Sequence, residues 1–146
     1  MAKKKYLIFI GCGLIVLILL IRYLPDNLIL PDEGAFTLSC TDVPERMKAG
    51  ETVTVIATLE NRAWRSFRVT RRLQFVYVAV AEEGVLFMPD AAGVGDYMAA
   101  GVDMRETTVF TPKKPGNYTL YVFAAFSVGD KSYEYQLENK TIVVEP

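Results

Sequence analysis

Histidine is absent from this chain of 146 residues. Its absence removes the commonest metal ligand and the usual general base at neutral pH. Cysteine is scarce: Cys12 falls in an apolar N-terminal run and Cys40 in the body of the chain. A bridge would have to join a sulfur buried in a helix to one in a folded domain, so no internal disulfide is expected. Acidic residues are missing from positions 1–24, where Lys3, Lys4, Lys5 and Arg22 stand alone. The rest of the chain therefore holds 12 of the 16 basic residues against all 17 acidic ones, a net of −5. A body of that charge argues against general nucleic-acid binding. After residue 24 no stretch is long enough and helically periodic enough to predict a helix.

What is present begins with YLIFIGCGLIVLILLI, an uncharged run from Tyr6 to Ile21. As a helix ending at Leu24 it would span ~28 Å, close to the ~30 Å hydrocarbon core of a bilayer. Arg22 can snorkel there and Tyr23 suits the interface. Lysines before the run and Asp26, Asp32 and Glu33 after it place residues 1–5 in the cytoplasm by the positive-inside preference. Residues 6–24 read as a transmembrane signal anchor, with everything after them outside the cytoplasm. A cleaved signal peptide would need small residues before its cleavage site, and RYLPDNLILPDEG supplies none. Phe9-Ile10-Gly11-Cys12 loosely resembles a lipobox, which would make Cys12 a lipidation site and the chain an anchored lipoprotein. Only about five apolar residues precede that cysteine, fewer than such a signal carries. Gly11-Cys12-Gly13 is not a GxxxG motif, so a structural accessory subunit acting through its transmembrane helix has slight support.

Residues 25–34 are bounded by Pro25 and Pro31 and end in turn residues, as an extended tether would. Residues 35–146 are expected to be all-β, with strands at 35–40, 52–60, 72–81, 85–88, 107–111, 118–128, 131–137 and 141–145. Val53, Val55, Ala57 and Leu59 share one face, against Thr52, Thr54 and Thr58 on the other, as in a half-buried antiparallel strand. LQFVYVAVA and YTLYVFAAF are apolar on both faces and belong centrally in their sheets or under a loop. Lys48-Ala49-Gly50-Glu51 and Lys114-Pro115-Gly116-Asn117 are glycine turns, each feeding an apolar strand, and suit two facing central strands. Gly129-Asp130 is a two-residue hairpin signal with glycine first, as a type II′ turn prefers.

At Pro115-Gly116-Asn117-Tyr118-Thr119-Leu120 the chain resembles the late-strand signature of bacterial immunoglobulin-like β-sandwich domains. The resemblance implies an immunoglobulin-like antiparallel β-sandwich over residues 35–146. It also implies that Tyr118 returns its hydroxyl to the backbone at a corner. Leu120 stands where antibody-type domains carry a cysteine, and Trp64 comes early for a buried core tryptophan.

The strongest functional lead is the segment holding Arg62, Trp64, Arg65, Phe67, Arg68, Arg71 and Arg72. Residues 46–72 hold seven basic and two acidic residues, while 73–146 hold five basic and ten acidic. Arginines beside aromatics can hold an acidic partner, anionic lipid headgroups or a phosphate-rich polymer through forked hydrogen bonds and stacking, so the expected partner is an anionic envelope component or another membrane protein. Equally, they can pair with the domain's own acids on a solvated hairpin, and if exposed they would be replaceable at ~0–1 kcal/mol. Residues 89–103 form a long Gly/Ala-rich loop with Asp90, Asp96 and Asp103, at a spacing that matches no EF-hand. Cys40 continues the apolar face of Phe36 and Leu38 and reads as a structural thiol. With no metal site, cofactor or catalytic group indicated, the expected function is a non-enzymatic, single-pass, membrane-tethered binding or assembly module.

Overall fold

The computed structural model of the chain describes residues 12–21, 29–82 and 94–146, apart from the side chains of residues 72, 73 and 94. Residues 12–21 form a helix, α1. The rest of the expected span over 6–24 lies outside the described residues, and among those described no helix is long and apolar enough to cross a membrane. A 3₁₀ turn, Glu33–Ala35, leads into β1 (Phe36–Cys40), β2 (Arg46–Lys48), β3 (Val53–Asn61) and β4 (Phe67–Glu82). Then follow β5 (Val94–Met98), β6 (Met104–Phe110), β7 (Gly116–Val128), β8 (Lys131–Gln136) and β9 (Lys140–Glu145).

The expected all-β architecture is present as two sheets. One has the order β1-β3-β6; the other has the order β2-β9-β7-β4-β5, with β8 also paired to β7. The two glycine turns feed β3 and β7, each internal to its sheet. On β3, Val55, Ala57 and Leu59 are fully buried, and on β7 the alternate residues Tyr118, Leu120, Val122, Ala124, Phe126 and Val128 meet them from the other sheet. Burying a side chain such as Leu59 contributes about 1.5–3 kcal/mol. Period-2 alternation thus places the core between the sheets.

Several expectations need correction. The basic segment is not simply a hairpin: from Phe67 onward it is strand, pairing with β5 as Phe67↔Met98, Arg68↔Tyr97 and Val69↔Asp96. Phe67 and Val69 point into the core and Arg68 and Thr70 away from it, an alternation that the density of arginine disguised. The 89–103 segment likewise contains β5, and β2 was not foreseen. β2 also departs from the all-antiparallel scheme, running parallel to β9. The chain breaks β1 and passes Pro44, which has no amide hydrogen to give a ladder, before β2 joins the other sheet. β6 begins at Met104, earlier than the expected 107. The expected strand at 85–88 lies outside the described residues.

β4 is irregular. Arg71 pairs with Phe126 and Val76 with Ala124, so β4 advances five positions while β7 advances two. A bulge of this kind re-aims the strand beyond it. The Gln74 amide donates to the Tyr77 hydroxyl at 3.2 Å. Tyr77 in turn stacks on Phe123 at 4.8 Å and 7°, on the face opposite to the core residues Val76 and Ala124.

Two local expectations hold in detail. Val128 pairs with Lys131 across Gly129-Asp130. Gly129 has φ +57° and no non-glycine residue among those described has a positive φ, the pattern of II′ rather than I′. At β7, the Tyr118 hydroxyl donates to the Lys114 carbonyl at 3.1 Å while its ring is buried against Phe110. Tyr118→Phe should therefore lower stability by about 1–3 kcal/mol, because the Lys114 carbonyl is left without that donor. Urea unfolding of the wild type and the variant would measure it, and coincident midpoints would remove the corner from the account.

Candidate functional site

The chain enters the sandwich beside the arginine-rich segment. Phe36 pairs with Asn61 at the start of β1, and the Arg62 amide donates to the Ala35 carbonyl at 2.8 Å. Asn61, buried at the end of β3, then organises the turn. Its Nδ2 donates to the Ala99 carbonyl at 2.7 Å and its Oδ1 accepts from the Ala63 amide at 2.9 Å. The Ala100 amide donates to Ser66 Oγ at 3.0 Å. Segments 61–66 and 99–103 are thereby latched together, with Asp103 accepting from the Asn61 amide at 3.4 Å. Neither Asn61 nor Ser66 was expected to organise a turn, although asparagine at the end of a strand is a recognisable side-chain-to-backbone turn former.

The proposed patch residues divide into different environments. Arg62 pairs with Glu60 at 2.6 Å. Arg71 pairs with Asp96 at 2.7 Å and lies over the Phe75 ring at 5.1 Å. Arg65 is buried, 6 % exposed, with its guanidinium 5.0 Å from the Phe67 centroid and 6.0 Å from that of Trp64. Arg68 is exposed on the outward face of β4, opposite Tyr97. Phe67 is fully buried and belongs to the core, whereas Trp64 is 64 % exposed and is no core tryptophan. The side chain of Arg72 lies outside the described residues. The structure thus brings together Trp64, Arg65 and Tyr97, which line one hollow with Ser66, Ala100 and Ile18 of α1. Arg62 and Arg71 it commits to acids of the domain. The Tyr97 amide first, and then Arg71, hold the Asp96 carboxyl below the usual carboxylate range.

A second cluster fixes the tether. Pro31 is buried and its carbonyl accepts from the Tyr133 hydroxyl at 2.8 Å. The Tyr135 hydroxyl donates to the Glu33 carbonyl at 2.9 Å, and Lys131 pairs with the Glu33 carboxylate at 3.0 Å. Tyr133 stacks on Phe126 and meets Phe36 edge-on. Burial, followed by the charge of Glu33, pushes the Tyr135 phenol up to about 12. The Glu33 hydrogen bond raises Lys131 above the ordinary lysine value. The end of the expected extended tether is therefore a 3₁₀ turn, capped by Asp32 and held to β8.

The remaining candidates carry less. Asp96 and Asp103 are occupied by Arg71 and the Asn61 amide, Asp90 lies outside the described residues, and no group of three potential ligands occurs among the described residues. Cys40, expected as a structural thiol, is a partly buried free thiol at the end of β1.

No protein-family model matches the chain, and no significantly similar curated protein was found. Among solved structures it is similar to the ASH/PapD-like domain 7 of human CEP192, at 15% identity and TM-score 0.41, covering 74% of this chain and 84% of that one. It is also similar to part of a β-glucosidase from Listeria innocua in complex with glucose, at 14% identity and TM-score 0.40. That match covers 76% of this chain and 16% of the glucosidase. A third is Spo0M, a sporulation control protein from Bacillus subtilis, at 16% identity and TM-score 0.39, covering 77% and 50%.

Proposed function

We propose that the chain is a single-pass, membrane-tethered binding or assembly module. In this reading an immunoglobulin-like sandwich is held outside the cytoplasm by an N-terminal signal anchor and works without cofactor or catalysis. The observation that carries it is the state of α1: its aliphatic residues from Leu14 to Leu20 are 49–61% exposed. An unbroken aliphatic surface of that kind needs a bilayer or a partner to cover it. Lys3, Lys4 and Lys5 before it supply the orientation. The fixing of Pro31–Ala35 by Tyr133, Tyr135 and Lys131 supports the tethering role, because a clamped entry makes the anchor determine where the domain sits.

The test is topological. Full-length protein should remain in the membrane pellet after alkaline carbonate, keep Met1 or Ala2 at its N-terminus by intact mass, and lose its domain to protease added to intact spheroplasts. A mature chain starting near residue 25 or at an acylated Cys12, or a domain that resists protease until the cells are opened, would overturn the reading.

A further inference from the structure

We infer that the end of the sandwich carrying Trp64 and Tyr97 rests on the bilayer surface, and that these rings seat at the level of the lipid headgroups. The inference deepens the tethered-module reading and rests on it. Three observations on different parts of the molecule converge on that end.

The first is connectivity. The chain reaches the sandwich at Pro31–Ala35, and Ala35 bonds directly to Arg62, two residues before Trp64. Eight peptide links separate Ile21, the last described residue of α1, from Ile29, so the two are at most about 30 Å apart. The Trp64 end is therefore the end nearest the anchor. The second is contact: Ile18 of α1 lines the same hollow as Trp64, Arg65, Ser66 and Tyr97. The third is exposure. Trp64 is 64 %, Tyr97 62 % and Val102 51 % exposed, and all three lie on segments latched to each other through Asn61 and Ser66. Tryptophan and tyrosine, apolar in body and polar at the tip, are the side chains that favour the membrane–water interface.

Electrostatics decides what kind of membrane contact this is. At this end Arg62 is paired with Glu60, Arg71 with Asp96 and Lys131 with Glu33. Three basic side chains here are met by carboxylates and a fourth, Arg65, is buried over Phe67, while Arg68 stands exposed opposite Tyr97; the inferred attachment relies on the rings and not on anionic lipid. That separates it from capture by a basic patch, which would weaken as salt screens it over a Debye length of about 8–10 Å.

Trp64 is the chain's single tryptophan, so its emission reports on this end alone. Full-length protein would be reconstituted into phosphatidylcholine vesicles, washed with carbonate, and compared in vesicles with and without bromine on the lipid acyl chains. The expected result is a loss of roughly half of the Trp64 emission in brominated vesicles, as for a ring at the headgroup–acyl boundary. The loss should not change when phosphatidylglycerol is added or salt is raised, and Tyr97→Ser should reduce it. Emission indifferent to bromolipid, whether open to acrylamide in the water or shielded by α1 alone, overturns the inference. Quenching that appears only with anionic lipid also overturns it. Protein lost from the vesicles in the carbonate wash would count against the anchor itself; protein retained with an unquenched Trp64 counts against this seat alone.

Discussion

Tyr133→Ala is expected to destabilise the domain by about 3–5 kcal/mol, a large part of the 5–15 kcal/mol that holds a typical domain together. Tyr133 is 1 % exposed; its ring stacks on Phe126, its cross-strand partner in the same sheet, and meets Phe36 of the facing sheet edge-on. Truncation leaves a cavity where the two sheets meet and also strands the Pro31 carbonyl. Tyr133→Phe separates the two effects, keeping the ring and losing only the hydroxyl, at about 1–3 kcal/mol. The phenylalanine variant should still unfold cooperatively but become easier to cleave near residues 29–35. Urea midpoints together with limited proteolysis of full-length protein in mild detergent would check both parts. Equal cleavage of the wild type and Tyr133→Phe would mean that the tether is held without this clamp.

The second large effect is expected at Arg65. Arg65→Glu should cost about 3 kcal/mol or more, since it puts a carboxylate beside the faces of Phe67 and Trp64 in a site closed to water. Arg68→Glu, exposed on the outward face of β4, should change stability by no more than about 1 kcal/mol, as an exposed charged side chain with its contacts does. Read from sequence, the two arginines are members of one patch and would behave alike. Arg65→Met keeps much of the volume and drops the charge, so it should fall between them. Thermal midpoints of the three variants decide the matter. Similar shifts for Arg65→Glu and Arg68→Glu would return Arg65 to the surface.

The contrast between those residues shows where sequence was sufficient. Strands β1, β3 and β8 were legible because burial of one face imposes period-2 alternation, β7 because it is apolar on both faces after a glycine turn, and the Gly129-Asp130 hairpin because its turn restricts residue choice. The role of Tyr118 was implied by the resemblance at Pro115–Leu120, and its partner proves local, the Lys114 carbonyl four positions back. β5 was not legible, because among its described side chains, those of residues 95–98, only Met98 is deeply buried, and its strand character comes from β4 beside it. The start of β4 was hidden since Arg68 and Arg71 outweighed the alternation of Phe67 and Val69. Which arginines would find acids was beyond reach altogether. Glu60 is two positions from Arg62, but Asp96 meets Arg71 only through the pairing of two strands. Tyr97 drew no notice within a loop of glycine and alanine, and its neighbourhood with Trp64 depends on the Asn61 and Ser66 latches.

The parallel ladder between β2 and β9 has a consequence for how the protein is made. Met47 lies beside Val144, and Arg46 reaches Glu145 across 99 positions; the Tyr133 clamp closes on Pro31 across 102. Pairings this remote are slow to form, because the loop between them must be ordered before the contact repays it. During synthesis β2 has no strand to join until β9 has been added. The nascent domain must therefore wait with the Gly116–Leu120 edge of β7 open to strangers. Loss of β9 would set β2 adrift and leave that edge unpaired, so the six residues Lys140–Glu145 guard the chain against aggregation as much as they complete its sheet.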